Sequence, residues 1–354
     1  MGGACVALSA ALLTLRKQLL TIEALWWQSR VGVAVPIYLL TAVGWLVGKA
    51  PQERGLGFLP VLACLTCATG SLALLHAVLD EEEDRLVAPI GPLPAGLLTR
   101  VQVLRASALL ALLASVSLVS VVAETSRSLE AFGLLALAGL LTVSYSYVKH
   151  IGVVASVVMA AIWMTAAGGG WLVAGAHHPL PAWLLCYAFA VGLADNVMGG
   201  ILDVDSDPVV GNATVAVRLG ARRALLLAGI LDVCATLLLL IVAVQEPLTH
   251  SAVGIGLAVL AASWGALAAR TLHSSLDGGL AGRVAYVAAA RPYIRALCLR
   301  DVGLVCVLSP RLGLTVGIGL WALQGAAFHG SGRRVREGGL RRDFARTDVQ
   351  TGAI

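Results

Sequence analysis

The sequence predicts an all-α, polytopic membrane protein of about nine spanning helices, and three observations carry that prediction. Of its 354 residues, 58% are hydrophobic and only 13% are charged, against roughly 25% charged in an ordinary soluble domain. Mean hydropathy is +0.88, more apolar surface than a water-soluble fold can hide. The apolar residues come in long runs without strict alternation, which selects helices, because lipid admits only helices and closed barrels. A disordered chain, a disulfide-rich secreted domain and a nucleic-acid-binding domain are excluded on the same composition.

A spanning helix needs about 20 mainly apolar residues. Nine segments qualify: residues 32–49, 58–79, 106–123, 131–148, 152–175, 181–202, 224–244, 251–269 and 302–328. The first and fourth are short and lean on their flanks, and Pro310 and Arg311 interrupt the last. Residues 1–31 form a cytosolic or interfacial segment before the membrane domain of residues 32–329. No basic residue precedes its apolar stretch, so it is not a standard secretory signal. Residues 330–354 form a basic tail, expected to be disordered, with Arg333, Arg334, Arg336, Arg341, Arg342 and Arg346. Cys64 and Cys67 make a C-x-x-C without a second pair or a histidine at zinc spacing, so they read as small buried residues.

With the N-terminus inside, fifteen Lys and Arg fall in the inside segments and three in the outside loops. That bias places the N-terminus in the cytoplasm, and a bacterial-type plasma membrane is the expected location. Nine spans then leave the arginine-rich tail outside, against the same bias.

The acids are more informative than the bases. After the second span comes His76-Ala77-Val78-Leu79-Asp80-Glu81-Glu82-Glu83-Asp84-Arg85, and after the sixth comes Asp203-Val204-Asp205-Ser206-Asp207. Both follow even-numbered spans, so both face the same side. Each contains D-x-x-x-D: Asp80/Asp84 and Asp203/Asp207. At a helix end this spacing stacks two carboxylates on one face, where like charges repel. Two such pairs on one side of a membrane call for a cation, and oxygen-only donors favour Mg²⁺ or Ca²⁺. Mg²⁺ takes one or two carboxylates plus substrate phosphates, an arrangement that two facing pairs can make around a diphosphate.

Further residues join the pattern. The first loop continues Pro89-Ile90-Gly91-Pro92-Leu93-Pro94-Ala95-Gly96, and the second Gly211-Asn212-Ala213-Thr214 to Gly220. The fourth span ends Tyr145-Ser146-Tyr147-Val148-Lys149. In these motifs, in this order, the chain resembles the UbiA superfamily of intramembrane prenyltransferases. Asp80 and Asp84 match the last two acids of its N-D-x-x-D-x-x-x-D loop. Pro92, Leu93 and Gly96 match its R-P-L-x-x-G turn, and Tyr145 and Lys149 its Y-x-x-x-K. Asp203 and Asp207, with Gly211, Thr214 and Gly220, match its second acidic loop. The sequence departs from the family at His76, where it has Asn, at Ala77, where it has Asp, and at Gly91, where it has Arg.

The resemblance implies a UbiA-like helical bundle around a central cavity open to lipid. It implies ionisation of an allylic prenyl diphosphate with Mg²⁺ and transfer of the prenyl group to an aromatic or other small lipophilic acceptor. Asp80, Asp84, Asp203 and Asp207 are then the metal ligands. Lys149 and Arg85 lie near the phosphate oxygens, and Tyr145 donates a hydrogen bond. His76, Asp195, Asn196 and Arg218 are substrate-binding candidates, with Arg100 and Arg222 as further cations. Asp195 and Asn196 stand about two turns before Asp203, on the same face of the sixth span, and intramembrane acids are functional candidates. Asp232, in the seventh span, has less context. Trp163 and Trp171 read as packing or interface residues. Two alternatives stay open, a terpene cyclase on the same scaffold and a transporter or assembly factor. A transporter gathers its polar residues near the bilayer midplane, whereas these acids gather at one face.

Overall fold

The computed structural model describes residues 2–29, 34–50, 56–87, 91–123, 127–176, 178–246, 248–275 and 279–326. The described residues are almost entirely helical. α1 (Gly2–Gln28) buries Leu20 and Ala24 toward its C-terminal end, where they meet Leu74, Leu93, Leu98 and Val103. α2 (Val35–Gly48) is short but the most enclosed helix, with Tyr38, Leu39, Leu40, Trp45 and Leu46 buried. α3 (Leu59–Leu79) leads into the small α4 (Glu81–Val87), and α5 (Arg100–Val122), α6 (Ser128–Val148), α7 (Gly152–Val173) and α8 (Ala182–Leu202) follow. After α8 come a 3-10 turn at Asp207–Val210, the short α9 (Val215–Leu219), α10 (Ala221–Gln245) and α11 (Leu248–Ser275). α12 (Gly279–Leu308), α13 (Pro310–Leu312), a π-helical stretch at Gly313–Gly317 and α14 (Ile318–Ala326) complete the described chain.

Seven of these helices are long and apolar enough to cross a membrane, with α2 as a shorter apolar helix. The chain is an integral membrane protein. Lipid offers no hydrophobic drive between helices, so small residues and buried hydrogen bonds do the joining. Gly44 and Gly170 let α2 and α7 touch backbone to backbone; a Cβ at either would collide with the Ala167 or Thr41 carbonyl. Ser71 and Ser107 each donate to the other's carbonyl at 2.9 Å, clasping α3 to α5. α6 is the opposite case. Only Ala131 of it is fully buried, and its surface is divided between the outside of the bundle and an internal cavity.

The last expected span is corrected. Residues 302–308 are the end of α12, a 30-residue helix that begins at Gly279, in a stretch expected as an inside loop. The chain breaks at Ser309–Pro310, because proline lacks the N–H that would continue the ladder. Residues 310–326 then return antiparallel along α12: Gly313 lies on Cys306, Gly317 on Val302 and Gly325 on Arg295. Charge hid this helix from the hydropathy pattern. Arg300 and Asp301 compensate one another inside the bundle, and Arg295 lies 4.3 Å over the Trp321 ring.

α12 also runs antiparallel to α8. Tyr187 meets Asp301 near one end, and Val197, Met198 and Ile201 cluster with Tyr293 and Leu297 nearer the other. The chain therefore leaves Ala326 heading toward the end where α8 delivers its acidic loop. The tail itself, residues 330–354, lies outside the described residues.

Candidate functional site

The two acidic turns have one backbone shape. Asp80 caps the C-terminus of α3 with φ −94° and ψ 1°, and Asp203 caps α8 with φ −104° and ψ 7°. In the first, Asp84 N–H donates to the Asp80 carbonyl at 2.8 Å, and in the second Asp207 N–H donates to Asp203 at the same distance. Each D-x-x-x-D is thus one closed helical turn beyond a long helix. Gly152 fixes the second turn against the start of α7, since a Cβ there would strike the Ala213 carbonyl. Gly211, at φ +79°, turns the chain after the 3-10 segment, a conformation that favours glycine.

Side chains join the turns. The Lys149 ammonium, at the end of α6, donates to Asp80 Oδ1 at 3.0 Å and pairs with Glu83. Asn212 Nδ2 donates to Glu83, and Thr214 Oγ1 donates to Asp207 Oδ2 at 2.8 Å. Glu83 therefore reaches from the first turn to the second, while Lys149 sits between them. Burial pushes Asp80 up, but hydrogen bonds and charge from His76 and Lys149 outweigh it and hold the carboxyl below the usual range. Burial pulls Lys149 down, yet Glu83 and Asp80 raise it overall. Burial raises Asp207, with Glu83 adding to the rise; the bonds from Thr214 and Asn212 offset only part of it.

His76 bridges two helices from the position where the family motif has Asn. Its Nε2 lies 2.9 Å from Asp80 Oδ2 and its Nδ1 2.9 Å from Ser146 Oγ. Its ring lies 5.8 Å from that of Tyr145. Asn196 Nδ2 donates to Tyr145 Oη at 3.0 Å, and Ser156 Oγ donates to Asn196 Oδ1 at 2.7 Å. Ala77, at the other departure, is buried.

The remaining expected residues fall elsewhere. Asp84, the counterpart of Asp207, is half-buried, and Asp203, the counterpart of Asp80, is exposed. Arg85 is exposed and pairs with Glu81 at 2.5 Å. Glu81 is itself buried and also binds Arg100, so this triad fastens α4 to the start of α5. Arg218 is exposed and donates through Nε to the Ala213 carbonyl at 3.1 Å. Glu83 and Asn212 were not singled out from sequence. A run of five acids does not reveal which of them faces the second loop. The signal for Glu83 is its i, i+3 relation to Asp80.

Beneath this mouth lies an apolar chamber of about 610 Å³, within the usual range for a small-molecule site. His76, Tyr145, Asn196, Asp195 and Trp163 are in its wall, with aliphatic residues of α2, α3, α5, α6 and α7 making up most of the rest. The arrangement joins a carboxylate-rich mouth, suited to a divalent cation and phosphate, to a greasy cavity suited to a hydrocarbon.

A model of the UbiA prenyltransferase family matches residues 35–279. Among solved structures, a UbiA homologue from Archaeoglobus fulgidus, bound to GPP and Mg²⁺, superposes with a TM-score of 0.56 at 17% identity, over 78% of this chain and 99% of that one. A UbiA homologue from Aeropyrum pernix K1 in its apo form gives 0.57 at 15% identity, over 78% and 97%. A digeranylgeranylglyceryl phosphate synthase gives 0.54 at 14% identity, over 81% and 98%. No curated protein matches the chain.

Proposed function

Because the chain belongs to the UbiA prenyltransferase family, we propose that it cleaves an allylic prenyl diphosphate at the acidic mouth with Mg²⁺ and transfers the prenyl group to an aromatic or other small lipophilic acceptor in the chamber. One observation carries this reading: two acidic turns of the same backbone shape, linked through Lys149, Glu83 and Asn212, stand over an apolar cavity. The Archaeoglobus fulgidus homologue, solved with GPP and Mg²⁺, supports the choice of donor and metal. From the charge bias, the mouth faces the cytoplasm of a bacterial-type plasma membrane.

The donor set fits Mg²⁺. It is made of hard carboxylate oxygens from two turns. That suits an ion held by one or two carboxylates from each turn and completed by water and phosphate. Asp80, Asp84, Asp203 and Asp207 would hold it, with Glu83 as a fifth carboxylate. When bound, Mg²⁺ draws charge from the leaving diphosphate.

The chain's own residues supply the rest. Lys149, kept charged by Asp80 and Glu83 beside it, would bind the phosphate oxygens. His76 and Ser146 hold Asp80 in place. Tyr145, oriented by Asn196, presents its hydroxyl where the mouth meets the chamber. The apolar walls exclude water, which would otherwise capture an allylic cation.

The test incubates purified protein with geranyl, farnesyl and geranylgeranyl diphosphates, with and without Mg²⁺ and candidate aromatic acceptors, followed by mass spectrometry. The expected result is Mg²⁺-dependent diphosphate release and a prenylated acceptor. A cyclic hydrocarbon formed without acceptor would instead support a cyclase. No release from any of the donors would overturn the reading.

A further inference from the structure

The chamber wall contains one polar group that the proposed chemistry leaves unused. Asp195 lines the cavity, and among the described residues its carboxyl makes no hydrogen bond or ion pair. The other polar side chains of the chamber wall are committed. Asn196 is held by Ser156 and engages Tyr145, and His76 is held between Asp80 and Ser146. Thr41, Thr69, Thr142 and Thr165 bond to carbonyls of their own helices. Placing a bare carboxyl in an apolar wall costs several kcal/mol unless something pairs with it, so its partner is expected to arrive with a ligand.

Its position narrows what that ligand is. Asp195 lies eight residues before Asp203 on α8, hence about 12 Å from the mouth along the helix axis. It is well below the phosphate site and beyond reach of a metal held there. Gly192 lies one turn away on the same face and brings the Trp163 ring against α8; a Cβ there would fall 2.7 Å from Trp163 Cγ. The indole is itself buried and also lines the chamber. A flat indole and an unpaired carboxyl on one wall suit an aromatic ring, which stacks on the one and meets the other with its polar edge.

We infer that Asp195 and Trp163 form the acceptor subsite, and that Asp195 takes the proton the acceptor loses. This rests on the prenyl-transfer reading. The bond between prenyl C1 and the diphosphate oxygen breaks, its electron pair leaving with diphosphate. A π pair of the acceptor ring forms the new bond to C1. The C–H bond at that ring carbon then breaks, its electrons restoring aromaticity and its proton passing to the Asp195 carboxylate. Asp195 is thus a catalytic residue of the transfer half of the reaction and not of ionisation. The structure supports this division, since it places Asp195 apart from the acidic turns. Asp301 lies near enough on α12 to feel the Asp195 charge; Arg300 and Tyr187 hold its Oδ1, its Oδ2 has no hydrogen-bond partner among the described residues, and no hydrogen bond joins it to Asp195.

Asp195→Asn keeps the shape and removes the base. General-base catalysis contributes on the order of 100-fold or more, so prenylated acceptor should fall by about that factor. Mg²⁺-dependent binding of a non-cleavable thiolodiphosphate should stay at the wild-type level. Asp195→Glu, which retains a carboxylate, should recover part of the transfer. Wild-type transfer by Asp195→Asn overturns the inference, and so does loss of thiolodiphosphate binding in that variant. If the wild type releases no diphosphate at all, the underlying prenyl-transfer reading fails instead.

Discussion

Two regions gather opposite charges in this molecule, and they spend them differently. At the mouth, Lys149 binds Asp80 and Glu83, Asp207 lies close by, and the turns supply Asp84 and Asp203 besides. In the bundle interior, Arg300 donates to Asp232, Asp301 and the Tyr187 hydroxyl, while Tyr187 donates to Asp301 at 2.6 Å. The interior cluster is sealed, with Arg300 2% and Asp301 1% exposed, and it ties α8, α10 and α12 together. The mouth is half-open and has more carboxylates than cations. A closed cluster fixes helices, whereas an open one with surplus acceptors can take a divalent ion and its phosphate.

The sharpest way to separate them is to break each. Arg300→Ala leaves the buried Asp301 and the half-buried Asp232 uncompensated, a loss of about 3–5 kcal/mol. It should appear as a large drop in thermal unfolding midpoint in detergent, with less folded protein recovered. An unchanged midpoint alongside lost turnover would move Arg300 into the catalytic group. Asp80→Ala and Asp203→Ala should do the reverse. Diphosphate release falls by about 100-fold or more, as when a key electrostatic group is lost, and the unfolding midpoint changes little.

Much of this division was legible in the sequence, though unevenly. The D-x-x-x-D spacing marked both turns, and the long apolar runs marked α3, α5 to α8, α10 and α11. The interior cluster was not legible. Arg300 and Asp301 made residues 270–301 look like a solvated loop, because hydropathy counts each charge alone while the bundle pairs them. Arg85 was expected near phosphate. Its i, i+4 relation to Glu81 instead turns it along α4, a geometry that a five-acid run conceals.

Smaller effects sharpen the picture of the mouth. Glu83→Gln should weaken apparent Mg²⁺ affinity by about tenfold, in the range seen for groups that support metal ligands; Mg²⁺ titration of diphosphate release measures it. Asp207 sits above the usual carboxyl range through burial, and Asp80 below it through His76 and Lys149. As pH falls, Asp207 therefore takes up its proton first and metal binding weakens from the second turn. Protons and metal compete for such ligands, so raising Mg²⁺ should move the acid limb of the pH–rate profile to lower pH. An acid limb indifferent to Mg²⁺ would contradict this. Arg218→Ala should change turnover by less than about twofold, as expected for an exposed side chain away from special features.

Most direct is the binding of a non-cleavable allylic thiolodiphosphate to the wild type, Asp80→Ala and Asp207→Ala, each with and without Mg²⁺. If both acidic turns grip one magnesium-bound diphosphate, binding requires the ion and is lost in either variant. Tight binding without Mg²⁺, or loss confined to one of the two turns, would contradict a shared site.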